Sequence, residues 1–573
     1  MSINFIDASM KVASTTIIFL IVLLECESLT FLKKNDQNKT LQVSTKTGIV
    51  QGRERRTTKQ TQFFSYEGIP FAQPPINNLR FRSPQPVKPW RGVLNATDLS
   101  EGCIEIRIRF IEIYTPGSED CLYLNVYTPK NRKISKDGLL PVIVWIYGGG
   151  FIEGLAALYG PYNLLDKNLV VVTFNYRLGA FGFLSTEDEA SPGNYGLKDQ
   201  NAALRWINAN IKQFGGDPTK VTISGHSAGA SSVLHHMIAP KSRGLFSRAI
   251  AWSGDTTSVW GEQKQAKSTA LDLAASLGIN TDNTTEVIER LRMVDAKQLT
   301  SAQMMTVLVY STTIFSSGVS FCPSVEPDIP EAFYTEPSYE TLKKGDIAKV
   351  PLMIGTASME AGLFAKLFYL IKPLLVYLDI SPSSVPNGKI KKSSFQENRR
   401  IGKRLLEKYF ASKSISGSAN HELITFFTHL IFLIPITRTA RLLSPHIPVY
   451  FFVNDHQEKY AKLFLEASKF PIDPKTNGVT HGEDVPLIWI YSHLGTPPQS
   501  LFIQKKFLQL WKNFATTGNP TPTFDPAIGT IWPPITDNNN ISYLAIKDDV
   551  KVEYNYKKDI IDFWDETLNE FIK

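Results

Sequence analysis

From about residue 140 the chain alternates short β-branched runs with stretches of helical spacing. Residues 140–147 form a continuous apolar run that ends in Gly148-Gly149-Gly150, and residues 169–174 form a second. Residues 197–214 place Leu197, Ala202, Leu204, Ile207 and Ile211 among the apolar positions of a helix. Residues 221–224 and 351–354 read as two further strands. Strands that are apolar on both faces and separated by helices predict an α/β fold, with a large, mostly parallel central sheet flanked by helices. No internal repeat and no Pro/Gly/Ser-rich linker divides this pattern, so one domain is expected.

The N-terminal segment does not belong to that pattern. Residues 12–24 are an apolar run preceded by Lys11 and followed by Glu25-Cys26-Glu27-Ser28. A bilayer span needs about 20 apolar residues, and this run is shorter. One cation before a short apolar stretch reads as a secretory signal over residues 1–28, leaving residues 29–573 as the folded domain. A buried strand is the competing reading, but no turn residues bound the segment. Asp7 is out of place in a basic leader and points to Met10 as an alternative start.

Composition narrows the class without naming it. The chain of 573 residues is 43% hydrophobic and 20% charged, which excludes collagen-like and disordered polymers. Loss of Lys11 together with Asp7, Glu25 and Glu27 moves the formal charge from +7 to +9. The densest basic cluster, Lys389, Lys391, Lys392, Arg399, Arg400, Lys403, Arg404 and Lys408, lacks interleaved aromatics. It reads as a solvated helix face, not as a nucleic-acid site. Residues 362–380 are interrupted by Lys366, Lys372 and Pro373, and residues 425–436 are too short to span a bilayer. The C-terminus has neither a lipid-anchor tail nor a retention tetrapeptide. A secreted protein with no stable membrane anchor is expected.

Cysteine usage agrees with an oxidising compartment. Cys26 leaves with the signal; Cys103 and Cys121 would close a small loop worth about 3 kcal/mol. Cys322 is left over and reads as a small buried hydrophobe. Candidate N-glycosylation sites are Asn38, Asn95, Asn283 and Asn540.

The chemistry sits at strand ends. Residues 221–224 run into Gly225-His226-Ser227-Ala228-Gly229, followed by Val233, Leu234 and Met237 at helical spacing. A strand, a Gly-x-Ser-x-Gly turn and a helix make a nucleophile elbow, which lifts a serine hydroxyl clear of the sheet. Its glycines are expected where helix and neighbouring strand leave no room for a Cβ. The glycine triplet after residues 140–147 offers unobstructed N–H groups, so Gly149, Gly150 and Ala228 are the candidate oxyanion donors. A serine needs a base. Of nine histidines, His481 lies in a glycine-punctuated loop C-terminal to the serine, where this fold carries its base. His226 adjoins the nucleophile, but consecutive side chains on a turn point apart. His235, His236 and His429 fall in helical stretches, and His456 is the alternative base. Glu360, past the strand at 351–354, is the candidate acid; Glu483 and Asp484 are too close to His481 in sequence to reach its ring easily.

These segments resemble a known family. Residues 214–229 (FGGDPTKVTISGHSAG) and residues 119–127 (EDCLYLNVY) are similar to the two signatures of type-B carboxylesterases, in the carboxylesterase/cholinesterase family of the α/β-hydrolase fold. Residues 66–75 (YEGIPFAQPP) and 175–179 (NYRLG) resemble further family segments, and the likeness to secreted insect enzymes runs from about Gly48 to Trp564. The resemblance implies a Ser227–Glu360–His481 triad, pairing of Cys103 with Cys121, and a serine esterase acting on small-molecule esters with neither metal nor cofactor. It also implies pocket roles for Trp260, an acyl-side aromatic, for Ser253 behind the triad, and for His226.

The departures from the family restrict the substrate. A second disulfide of many relatives is absent, its positions taken by Ile279 and Arg290. The 103–121 loop has no tryptophan on which a quaternary ammonium could stack, and His226 replaces a glutamate typical of cholinesterases. Acetylcholine is therefore not the expected substrate. Juvenile hormone esterases also resemble this chain, but usually carry Gln at position 226. Two other readings use the same fold: a non-catalytic neuroligin-like adhesion ectodomain, and a lipase or hormone-specific esterase. A histidine base implies activity that falls as pH drops through about 6.5, where an ordinary imidazole protonates. Fold alone leaves substrate and oligomeric state open.

Overall fold

The computed structural model describes residues 41–109, 112–130, 138–311, 320–364, 375, 394–411, 414–457, 478–489 and 501–569. Residues 1–28, where a secretory signal is expected, together with Asn38 and the lysines 389, 391 and 392, lie outside the described residues.

The apolar runs become the centre of one sheet. Its core strands are β1 (Leu140–Ile146), β2 (Val170–Phe174), β3 (Gly216–His226), β4 (Arg248–Trp252), β5 (Leu352–Ala357), β6 (Val449–Asn454) and β7 (Ser542–Ile546). They lie in the order β2-β1-β3-β4-β5-β6-β7, and every neighbouring pair is parallel. Every residue of β1, β2, β5 and β6 is buried, which explains why those segments show no polar alternation. Antiparallel strands close both margins: Leu41–Ser44, Ile49–Arg56, Gln62–Pro70 and Tyr123–Pro129 on the β2 side, Val550–Tyr554 beyond β7. With Val93–Asn95 beside Ile49–Arg56, the sheet has thirteen strands among the described residues. The fold is an α/β-hydrolase-type single domain.

Strand order fixes where chemistry can happen. From β1 the chain crosses to β2 on one side and then returns to β3 on the other. The connections leave in opposite directions and open a crevice beyond the carboxyl ends of β1 and β3. The glycine triplet follows β1 and the serine turn follows β3, so both motifs face that crevice.

Helices cover the sheet. The helix read over 197–214 is α1 (Tyr195–Asn210), tightened into a 3-10 turn at Ile211–Phe214. The elbow leads into α2 (Ala228–Ile238), where His235 and His236 are buried. Further on, α3 (Asn420–Thr428), a π turn (His429–Leu433) and α4 (Ile434–Leu443) run on as one rod. Here one expectation is corrected. The apolar run at 425–436 is part of a 24-residue helix, Asn420–Leu443, long and apolar enough to cross a membrane by length and composition. Of its apolar 18-residue stretch 83% is buried within the fold, so its apolarity is accounted for by core packing. A smaller core, with Ile401, Leu405, Phe426, Phe427 and Trp564, packs α3 against the helices Phe395–Phe410 and Lys558–Asn569.

The Cys103–Cys121 disulfide is formed and Cys322 is free and buried. Ile279 is buried, while Arg290 is exposed and pairs with Glu286 on its own helix, so neither disulfide position retains a cysteine function. Asn95, Asn283 and Asn540 are exposed. Arg399, Arg400, Lys403 and Lys408 are exposed on the helix Phe395–Phe410, with Arg404 paired to Glu566.

Candidate active site

The elbow is built from close approach. A Cβ on Gly229 would stand 1.9 Å from the Ile146 carbonyl oxygen, and one on Gly225 would lie 2.4 Å from Gly229 and 2.8 Å from that oxygen. Only glycine fits where α2 starts against β1, so these two positions are fixed by sterics. Between them Ser227 sits at φ +59 and ψ −125, a strained conformation for a residue with a side chain. Its N–H donates to the Trp252 carbonyl at the end of β4 (2.9 Å). Alone in the stretch 221–230, Ser227 retains partial exposure.

The glycine triplet meets the elbow directly. A Cβ on Gly148 would lie 2.8 Å from that of Ser227. Gly149 and Gly150 have φ of +125 and +60, and the Gly149 carbonyl accepts the Ile152 and Glu153 N–H groups, which curls the loop back. Among the described residues, the N–H groups of Gly149, Gly150 and Ala228 have no protein acceptor. The loop is braced from the disulfide side by Glu105, whose Oε2 accepts the Gly154 N–H at 2.6 Å while its other oxygen pairs with Arg107. Burial pushes the Glu105 carboxyl above its usual range, against the pull of Arg107.

Acid and base arrive on two stitched loops. Glu360 begins a 3-10 turn (Glu360–Phe364) just past β5. The Met359 N–H donates to the Val479 carbonyl, the Val479 N–H to Ser358 Oγ, and the His481 N–H to the Glu360 carbonyl. Glu360 is fully buried; its Oε1 accepts from Thr356 Oγ1 (2.9 Å) and the Ala357 N–H (2.7 Å). Its Oε2 lies 2.6 Å from His481 Nδ1. An acceptor there assigns the proton to Nδ1 and leaves Nε2 as the basic nitrogen. Glu483 turns back to the Thr480 N–H, and Asp484 bonds elsewhere.

The Ser227 hydroxyl carries no hydrogen bond among the described residues, so the serine–imidazole bond is not preformed. Such bonds commonly tighten only around a substrate. The His481 ring lies 4.5 Å, centroid to centroid, from the ring of His226, the residue before the serine. His226 is itself buried, and burial, with His481 beside it, holds its ionisation well below the usual imidazole range. It is thus a neutral partner to the His481 ring, a contact that reasoning about turn geometry alone leaves out. His456, the alternative base, has its Nδ1 3.8 Å from Asp548.

Three flanking groups complete the site. Asp484 is buried, and its Oδ2 accepts from Trp252 Nε1 and Asn454 Nδ2 (both 2.9 Å), tying the base loop to β4 and β6. Burial, with the Glu360 charge nearby, raises its carboxyl well above the usual value. Trp260 is buried, its ring 5.8 Å from Phe432, whose ring is 4.8 Å from that of His481. Ser253 is buried at φ +56, its N–H on the Gly355 carbonyl and its hydroxyl without a partner among the described residues. Sequence reasoning missed Asp484 and Phe432. The one signal for Asp484 is an acid three positions past the base; for Phe432 there is none, because it sits in an apolar helix. Among the described residues no group of three His, Cys, Asp or Glu side chains is disposed to hold a metal ion.

Comparison with known proteins agrees with this construction. The carboxylesterase family model matches residues 39–564. Venom carboxylesterase-6 of Apis mellifera is 33% identical over 552 residues, covering 93% of this chain and 96% of that protein. Juvenile hormone esterase of Tribolium castaneum is 33% identical over 504 residues, 84% of each chain. The crystal structure of juvenile hormone esterase from Manduca sexta, with OTFP covalently attached, superimposes with a TM-score of 0.81 at 28% identity, covering 93% of this chain and all of that one. With an α/β-hydrolase sheet, a serine elbow and full-length likeness in sequence and structure, this chain belongs to the carboxylesterase family and is a carboxylic ester hydrolase.

Proposed function

We propose that this esterase is a secreted serine hydrolase working through an acyl-enzyme, with Ser227 as nucleophile, His481 as base and Glu360 as orienting acid. The observation that carries the reading is the 2.6 Å contact from Glu360 Oε2 to His481 Nδ1, beside an elbow that holds Ser227 at positive φ. Ser227 Oγ attacks the ester carbonyl carbon as its proton passes to His481 Nε2. The carbonyl π pair moves onto oxygen, where the N–H groups of Gly149, Gly150 and Ala228 receive it. Collapse expels the alkoxide, which takes the proton from His481 and leaves as alcohol. Water then repeats the sequence on the acyl-enzyme, releasing the acid and restoring the serine. Buried Glu360 keeps Nδ1 protonated throughout and stabilises the transient imidazolium.

Trp260 bounds the acyl side, with His226 beside the His481 ring and Ser253 buried behind the triad. Residues 1–28 act as the secretory signal of the 29–573 domain, in line with a disulfide at Cys103–Cys121 and exposed sequons at Asn95, Asn283 and Asn540. A hormone-specific esterase is a second reading, favoured by likeness to two juvenile hormone esterases. A panel of short aryl esters against long, hydrophobic methyl esters separates the two.

The test is labelling with a fluorophosphonate probe and mapping the modified residue. Modification at Ser227, with Ser227→Ala unlabelled, folded and slowed by about 10⁵-fold or more, is expected. Retained turnover in Ser227→Ala would reject the nucleophile.

A further inference from the structure

The smaller, second core holds a line of reactive groups that ester hydrolysis does not use. Lys557 immediately precedes the helix Lys558–Asn569, and its carbonyl accepts the Ile560 and Ile561 N–H groups of that helix. Its Nζ lies 3.1 Å from His429 Nε2. The His429 Nδ1 lies 2.8 Å from Tyr409 Oη, which also accepts Trp564 Nε1 at 2.6 Å. A lysine nitrogen donates to an imidazole nitrogen, so Nε2 is the acceptor, and the ring proton is assigned to Nδ1, facing Tyr409. Amine, imidazole and phenol stand in line, each oriented by the next.

A nucleophile within reach of a base, with the base held by a third group, is the signature of nucleophilic chemistry. A lysine that only tied two helices together would pair with a carboxylate. Among the described residues Lys557 forms no ion pair, and Asp455 and Asp559 act on it only through space. Burial holds its amine below the usual lysine range against their pull, and the positive end of the helix that follows disfavours an ammonium further. Burial, with the Lys557 charge beside it, keeps His429 well below the usual imidazole range, so the ring is neutral. The backbone here is strained, with Asn555 at φ +60 and Lys557 at φ +44, and strain in residues with side chains gathers at functional sites. His429 is buried, whereas Lys557 retains partial exposure, so the line opens to solvent at its amine end.

We propose that Lys557 is a covalent modification site, an amine that takes the acyl group of activated esters, with His429 as its base. Tyr409 is a positioning residue that orients the imidazole. The neutral amine attacks the ester carbonyl carbon; the C–N bond forms as the C–O bond breaks, and the aryloxide leaves with the bonding pair. The proton released from nitrogen passes to His429 Nε2 and from there to water. The product is a neutral amide, with no change of oxidation state. An amide does not turn over, so the site is filled once.

The test uses the full chain carrying Ser227→Ala, so that the reagent is not consumed, treated with p-nitrophenyl acetate below one equivalent. Peptide mapping then quantifies acetyl-lysine at each position. Lys557 should be acetylated about 10²-fold faster than the exposed Lys267 and Lys297, the scale on which a positioned base acts. Acetylation of Lys557 no faster than theirs overturns the proposal. His429→Gln can still bond its neighbours but cannot take a proton, so the rate at Lys557 should fall to that of the exposed lysines, with circular dichroism unchanged. A preference retained in folded His429→Gln overturns the base. Tyr409→Phe guards against a folding failure at His429 and should lower the rate in the same direction by less. Unfolding the Ser227→Ala chain in urea should abolish the preference; one that survives belongs to the local sequence and overturns the site. The proposal stands apart from the triad: ester turnover remaining in Ser227→Ala would count against the nucleophile assignment only.

Discussion

The nucleophile and the acid–base pair are held by different physics. On the Ser227 side, position is set by main-chain contact: Gly225 and Gly229 sit where any Cβ would strike β1 or the start of α2, and Gly148 abuts the serine. On the Glu360–His481 side it is set by a ladder of hydrogen bonds between two loops that are about 120 residues apart in sequence, with Asp484 bracing them to β4 and β6. Sterics tolerate no substitution at these glycines, because the atoms a Cβ would meet are mostly backbone. A polar ladder can be retuned residue by residue, and each member that is removed leaves a buried partner unsatisfied.

The largest effect is expected at the steric side. Gly229→Ala puts a methyl 1.9 Å from the Ile146 oxygen, with backbone on both sides of the clash. Destabilisation above about 4 kcal/mol is expected, so chemical denaturation should find little or no folded protein. A Gly229→Ala protein with parental midpoint and turnover would break the distinction between the two sides. Glu360→Gln is the matching experiment on the polar side. The amide keeps the volume and the contact to Thr356 but cannot hold the same His481 tautomer, so kcat should fall by about 10⁴-fold in a protein that still folds. Circular dichroism and kcat, measured on the same preparation, check both parts.

A gentler change sharpens the steric side. Gly149 adopts φ +125, and a Cβ there would stand 2.2 Å from the Glu153 carbonyl oxygen. Gly149→Ala must displace this loop, and losing one oxyanion donor lowers kcat by about 10²–10³-fold. The loss should fall on kcat, with KM little altered, because the donor acts on charge that develops only in the transition state. A loss confined to KM would assign the loop to substrate binding.

The same division decides what the sequence disclosed. Sterically fixed features leave local marks, which is why Gly225-His226-Ser227-Ala228-Gly229, the triplet at 148–150 and the wholly buried strands β1 and β2 could be read directly. Glu360 and His481 leave only a loop and a chain order, and family likeness singles them out. Phe432 and Asp484 leave less still, since their roles come from what the fold brings beside them. The outer strands were equally silent. Val550–Tyr554, with Lys551 and Glu553, is half solvated, and the margin strands 41–70 mix charged and apolar positions. Residues 425–436 alone are too short to span a bilayer, whereas the helix continues past that run at both ends, through the more polar positions Asn420–Glu422 and Thr437–Arg441.

The smallest expected effect on turnover is at Asp484, where the polar ladder can be titrated. Its carboxyl is raised well above the usual value, first by burial and then by the nearby Glu360 charge, so the folded state retains a proton that the unfolded chain gives up. The sign follows: above the ordinary carboxyl value near 4, the unfolded state binds fewer protons and stability falls as pH rises, until the raised value is passed. Asp484→Asn removes this titration while keeping an oxygen for Trp252 Nε1 and Asn454 Nδ2. Its stability relative to the parent should therefore climb as pH rises above the ordinary carboxyl value, and level off once the raised value is passed. Taking the difference between two proteins at each pH cancels the other titrating groups, including the buried histidines, provided that they are unchanged. A difference independent of pH would mean that Asp484 is ionised in the folded state, and the base loop would then be held by charge on both of its acids.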